Sequence, residues 1–262
     1  MIKAEKKVVS VIIPVFNEEK TLAKVVRAVC QHPLVLETIC VNDGSVDNSL
    51  EILKSFGNKI RLVNFKKNRG KGVVLAVGVS QAKGKIVVFI DSDLTGLKPE
   101  HLNLMLTSVL EGRAKAVLAI PTRNKKGRYD KLDLFMTGQY LTGQRVYFRK
   151  DLVNHLKRMA KAKHAVEIFL NSLFKVRDCR VIPLVGVSHH QKIVKWKPGY
   201  AAKGYWDLLF DTYFELLRCQ FDKMKVAKMK SLAKTEYRQA LKLILQNLVL
   251  GYNRKDKEQS IK

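Results

Sequence analysis

The sequence predicts an α/β fold, with a mostly parallel central sheet flanked by helices and a C-terminal helical extension. Three observations predict it. Apolar, β-branched runs alternate with segments of helical periodicity through the first half of the chain. Polar clusters close three of those runs, as ligand-facing strand ends do in open α/β sheets. Beyond Trp206 the pattern is helical, with Lys and Arg on the polar face.

Each element follows from its own pattern. Val8–Phe16 is continuously apolar, as a strand buried on both faces should be. Lys20–Cys30 places Leu22, Val25, Val26 and Val29 on one helical face. Leu36–Val41 is a second strand, broken sharply by Asn42-Asp43-Gly44-Ser45. Asp47–Phe56 reads as a helix, Ile60–Asn64 as a short strand, and Lys71–Gln81 as a helix entered through glycines. Lys85–Ile90 is the clearest strand and runs into Asp91-Ser92-Asp93. Pro99 opens a helix to Leu110, and Ala116–Ile120 is a strand. From Pro121 the regularity fades: a basic loop to Asp133, an aromatic strand-like piece ending at Phe148, helices at Asp151–Met159 and Ala165–Val176, and a strand at Arg180–Val187. Ser188–Gly204 is a loop rich in His, Lys and Gly. The expected organisation is one domain over residues 1–204, with donor-side elements to about residue 124 and acceptor-side elements in 125–204, and a basic amphipathic extension over 205–262.

The chain has 262 residues, enough for a core that needs no disulfide or metal staples. Four scattered cysteines without a C-x-x-C pair suggest neither a zinc site nor a disulfide framework. The charged N-terminus carries no signal-peptide cleavage site, and no window approaches ~18 consecutive apolar residues. A cytoplasmic protein, peripheral at most to the inner membrane face, is expected. The 49 basic residues against 23 acidic give +26, far more than solubility needs, and call for an anionic partner. A nucleic-acid-binding protein is one alternative reading of that charge. The cations are spread along the chain, however, and no nucleic-acid module is recognisable, so no specific nucleic acid is expected.

Three polar clusters carry the chemistry: Pro14-Val-Phe-Asn-Glu18, Asn42-Asp43-Gly44-Ser45 and Asp91-Ser92-Asp93. Each alone has a plain reading as a turn or a helix cap. Together, at three strand ends on one sheet edge, they make a carboxylate-lined crevice. Asp91 and Asp93 are hard oxygen ligands suited to Mg²⁺ or Mn²⁺, which would bridge a diphosphate. Asn68-Arg-Gly-Lys-Gly72 lets backbone and Lys71 approach a phosphate near a helix start. The spacing of a Walker A loop and a Gly-x-Gly-x-x-Gly after the first strand are both absent. A nucleotidyltransferase, the other alternative, should carry a Gly-rich basic signature near its first strand, and Pro14–Glu18 supplies none.

Val9–Glu19, Val41–Asp47, Asn68–Gly72 and Phe89–Leu94 fall in the order seen in family 2 glycosyltransferases of the Rossmann-like GT-A fold. The resemblance lies nearest the branch of dolichyl-phosphate mannosyltransferase and glucosyl-3-phosphoglycerate synthase. It implies a metal-dependent transfer of a sugar from a UDP- or GDP-sugar to a phosphorylated acceptor, either a polyprenyl phosphate or a small phosphorylated acid. Residue by residue, Pro14, Glu18 and Asp43 match positions holding the base and ribose, and Phe16 stands where a Tyr is frequent. Lys71 matches a basic residue near the diphosphate, Ser92 lies within the donor motif, and Arg123 is a further phosphate contact. Asp91 and Asp93 match the Asp-x-Asp motif, with Asp93 on the metal and Asp91 on ribose or sugar. Gly143, Gln144 and Arg145 resemble an acceptor-side segment. Glu167 sits where relatives carry a glutamate after a glycine-rich turn, although the glycines are missing here, and completes the catalytic set with Asp91 and Asp93. His189 resembles a third metal ligand. The remaining expected partners are an anionic membrane surface, through the lysines of Gln220–Lys234, and a second copy of the chain in a homodimer.

Overall fold

The computed structural model describes residues 7–122 and 142–190. Four strands, β1 (Val9–Val15), β2 (Val35–Asp43), β3 (Arg61–Phe65) and β4 (Ile86–Phe89), are parallel to their neighbours within this half of the sheet. They alternate with α1 (Leu22–Cys30), α2 (Ser49–Ser55) and α3 (Lys71–Gln81). Next come a two-residue strand β5 (Leu94–Thr95), α4 (Pro99–Leu110) and β6 (Ala116–Thr122). After the gap lie β7 (Gln144–Phe148), α5 (Lys150–Val153), α6 (Leu156–Ala162), α7 (Val166–Asn171), β8 (Cys179–Val185) and β9 (Ser188–His189). The sheet order is β3-β2-β1-β4-β7-β6-β8, with β7 antiparallel to both neighbours. β5 and β9 form a separate antiparallel ribbon.

Burial on both faces explains the unbroken apolar runs. Along β1, Val9, Val11, Ile13 and Val15 pack on one side with Leu22, Val25 and Val29 of α1 and Leu102, Met105 and Leu106 of α4. Ile12 faces the other side, with Val74, Leu75 and Val79 of α3 and Val166, Phe169 and Leu170 of α7. Each such side chain withdrawn from water contributes roughly 1.5–3 kcal/mol before entropy is counted. Gly78 brings α3 close to the sheet, since a Cβ there would collide with Ile12.

The expected strands and helices of the first half all appear, with ends moved by a residue or two. The expected helix Asp151–Met159 is instead two short helices, α5 and α6, and Ala165–Val176 keeps α-helical form only over α7. His189 lies in a strand rather than a loop. Arg123, the basic loop after it, most of Ser188–Gly204 and the C-terminal extension lie outside the described residues.

Candidate active site

The C-terminal ends of β1, β2 and β4 open onto one cleft of about 270 Å³. Pro14, Phe16, Glu18, Asp43, Lys71, Asp91, Ser92 and Asp93 all line it. Local hydrogen bonds set its rim. Ser92 donates its hydroxyl to the Pro14 carbonyl (2.7 Å), and Thr21 donates to the Ser92 carbonyl (2.7 Å), which ties the ends of β1 and β4 together. Asn17 adopts φ 57°, accepts from the Val46 amide and donates its own amide to Ser45 Oγ, joining the loops after β1 and β2. Asp43 is nearly buried, and its two oxygens accept the amides of Arg69 and Gly70 at 2.7 and 3.0 Å. It therefore shapes the loop that leads into Lys71.

Lys71, the first residue of α3, lies between two carboxylates: Nζ is 2.8 Å from Asp91 Oδ1 and 2.7 Å from Glu167 Oε1. Burial alone would lower the Lys71 pKa, but these two charges outweigh it and hold the ammonium above the ordinary lysine range. Burial would likewise raise Asp91, yet Lys71 keeps it below the usual carboxylate range. Gln144 donates Nε2 to the other Asp91 oxygen (2.9 Å), and Gly143 backs onto the same carboxylate so closely that a Cβ would overlap it. Arg145 is buried, with Nε donating to the Thr142 carbonyl and one terminal nitrogen to Tyr147 and Asn171. Of the three residues expected on the acceptor side, Gly143 and Gln144 thus stand directly against Asp91, and Arg145 is buried among Thr142, Tyr147 and Asn171.

The β5–β9 ribbon carries the second half of the site. Leu94 pairs with His189, and the His190 amide donates to the Asp93 carbonyl at 2.7 Å. That register puts His189 Nδ1 3.0 Å from Asp93 Oδ1. The hydrogen bond to Asp93 is the main reason the His189 pKa is raised, with burial opposing it. Ligand atoms of Asp91, Asp93 and His189 all lie within 4.8 Å of one another. Two carboxylates and an imidazole are a donor set that Mn²⁺ or Mg²⁺ accepts, so the residues fit the metal expected at the Asp-x-Asp motif. Asn68, the first residue of the loop expected near a phosphate, also lines the cleft, as does His164, which the sequence reading did not assign to the site. No periodicity marks His164, which sits in the three-residue 3₁₀ helix Lys163–Ala165 between α6 and α7.

A mostly parallel sheet whose strand ends gather carboxylates, a lysine and a histidine over one cleft has the layout of an α/β enzyme. A model of glycosyl transferase family 2 matches residues 10–182, and the chain belongs to that family. An uncharacterized glycosyltransferase of Synechocystis is 34% identical over 110 residues, 39% of this chain and 34% of that relative. The undecaprenyl-phosphate 4-deoxy-4-formamido-L-arabinose transferase of Aeromonas hydrophila is 33% identical over 114 residues, 40% of this chain and 35% of its own. The matches thus span about a third of the length of these two relatives. Among solved structures, glucosyl-3-phosphoglycerate synthase from Mycobacterium tuberculosis, in complex with Mn²⁺, UDP-glucose and phosphoglyceric acid, superposes with a TM-score of 0.61 at 22% identity, covering 83% of this chain and 81% of that one. That likeness is one of fold and confirms the GT-A architecture.

Proposed function

We propose that the protein is a metal-dependent glycosyltransferase that moves a sugar from a UDP- or GDP-sugar to a phosphorylated acceptor. One observation carries the reading: Asp91, Asp93 and His189 converge at a strand end beside Lys71, above a cleft that Pro14, Glu18 and Asp43 also line. Asp93 and His189, with Asp91 beside them, would hold Mg²⁺ or Mn²⁺, which when bound supplies Lewis-acid neutralisation of a diphosphate.

The chain's own residues account for the rest. Lys71 brings a fixed positive charge to the centre of the cleft, where negative charge develops on the departing diphosphate oxygen. Glu167 and Asp91 hold that ammonium in place. Asp91, anchored by Gln144, presents an acceptor of hydrogen bonds to a ribose or sugar hydroxyl. Phe16, 43% exposed at the rim, offers an apolar face against which a base can pack. The named relatives support a phosphorylated acceptor, since one is a transferase onto undecaprenyl phosphate and one solved neighbour holds phosphoglyceric acid.

A thermal-shift panel of sugar nucleotides, with and without Mn²⁺, tests the reading. One donor should raise the melting temperature selectively and only with the metal. Asp93→Ala should abolish that metal-dependent shift, keep the unliganded melting temperature, and lower turnover about 10²–10³-fold, the usual loss for a charge-stabilising contact. Near-normal activity of this variant would refute the mechanism.

A further inference from the structure

The polar groups of the cleft are largely committed to one another. Lys71 holds Asp91 and Glu167, Gln144 holds Asp91, His189 holds Asp93, and Asp43 holds two amides. His164 is different. It lines the same cleft, its side chain is exposed, and it makes no hydrogen bond or ion pair among the described residues.

Its position comes from a costly backbone. Lys163, between α6 and α7, adopts φ 48° and ψ −113°, a region that a residue with a Cβ rarely enters. Such outliers typically cost on the order of 1–3 kcal/mol and persist where the surroundings over-determine them. Here the surroundings are the start of α3. The Lys163 side chain lies over Gly70, and a Cβ on Gly72 would strike the Met159 carbonyl and the Lys163 amide. Gly72, part of what reads as a phosphate-approaching loop in the sequence, thus makes room for the turn that presents His164. Three residues further on, Glu167 grips Lys71. One short segment therefore supplies the buried partner of Lys71 and, beside it, an unengaged imidazole that lines the cleft.

The geometry points to His164 as a specificity-determining contact to the transferred sugar, an assignment that rests on the glycosyltransferase reading. The β1 and β2 ends, with Pro14, Glu18 and Asp43, form the nucleotide side, whereas His164 enters from the helical side next to Lys71 and Glu167. A neutral imidazole offers one N–H and one lone pair, which matches a hydroxyl that both donates and accepts. Asp91 and Glu167 are both paired to Lys71, so the unengaged imidazole adds, beside Asp91, a contact able to distinguish one hydroxyl arrangement from another.

Binding of matched ligand pairs by the full-length chain with Mn²⁺ tests this: UDP against UDP-glucose, and GDP against GDP-mannose. His164→Ala should weaken the preferred nucleotide-sugar roughly three- to tenfold, the effect of one neutral hydrogen bond, and leave the matching nucleoside diphosphate unchanged. His164→Asn, which keeps a donor and an acceptor, should recover part of the loss. Unliganded melting temperatures of both variants should equal that of the wild type. Equal losses for sugar nucleotide and diphosphate, or no loss for either, would overturn the assignment while leaving the glycosyltransferase reading intact. A wild-type chain that binds none of the four ligands would overturn both.

Discussion

Asp91 is held by three neighbours of different kinds, and each makes a different demand on the sequence. Lys71 and Gln144 bond its two oxygens, and Gly143 leaves the space they occupy. The obstruction to a larger residue at 143 is the end of a side chain rather than backbone, so Gly143→Ala should fold and instead push the carboxylate off its partners. A misplacement of about 1 Å can cost 10²-fold in rate, and a loss of that order in kcat/KM with a near-native melting temperature is the expected result. Lys163 supplies the opposite case. Lys163→Gly relieves the positive φ and should raise thermal stability, by at most the ~1–3 kcal/mol of strain, less the flexibility that glycine adds to the unfolded chain. A lower melting temperature would show that the Lys163 stem over Gly70 matters more than the backbone. The motif residues Asp43, Lys71, Asp91 and Asp93 were legible because their chemistry is unusual at strand ends. Gly143, Gln144 and Arg145 were legible as a segment near the site, but their burial, and the contact of Gly143 and Gln144 with Asp91, were not. A backbone dihedral such as that of Lys163 leaves no mark in composition, so His164 was missed.

At the level of elements, the loop between β2 and α2 shows how a surface turn supports the rim. Asp47 accepts the Ser49 amide with one oxygen (3.0 Å) and the Glu19 amide with the other (3.1 Å), starting α2 and clamping the loop after β1. Partial burial opposes the charge, but the hydrogen bonds from Ser49 and Glu19 prevail and keep its pKa below the usual carboxylate range. A carboxyl whose folded pKa lies below its unfolded value of ~3.9 stabilises the protein above that value, and the contribution is lost as pH falls through the folded pKa. Asp47→Ala should therefore cost about 0.5–2 kcal/mol at neutral pH, as helix-capping losses do. The deficit should shrink below about pH 4 as the wild-type carboxyl also protonates. Denaturant titrations at several pH values check both statements, and an equal deficit at pH 3 and pH 7 would refute them. The parallel half of the sheet was readable because βα alternation forces both its direction and its two-sided burial. The antiparallel insertion of β7 between β4 and β6 was not, since strand direction in the sheet depends on pairing across long sequence separations. The β5–β9 ribbon was equally hidden, because two-residue strands have no periodicity.

At the scale of the whole molecule, the carboxylates that line the cleft contrast in sign with the net charge of the chain. Glu18, Asp43, Asp91 and Asp93 line the cleft of a chain with a net +26. Exposed Lys83, Lys85, Lys115, Lys150 and Lys175 flank the opposite edge of the sheet, where β4, β6 and β8 begin and β7 ends. No helix among the described residues is long and apolar enough to cross a membrane. Should the acceptor be a polyprenyl phosphate, the cleft must face the bilayer, and lysines on the far edge cannot provide the attachment. The Gln220–Lys234 lysines, outside the described residues, are the proposed alternative, each near an anionic surface contributing on the order of 1 kcal/mol. The full chain should accordingly float with anionic vesicles at ~0.1 M salt, where the screening length is about 10 Å. Combined reversal of Lys115, Lys150 and Lys175 to Glu should leave flotation unchanged. Flotation that disappears on this reversal would mean that the cleft points away from the bilayer. Either that result or an outright failure of the unmodified chain to float would remove the lipid acceptor and favour a small phosphorylated acid reaching the cleft from solution.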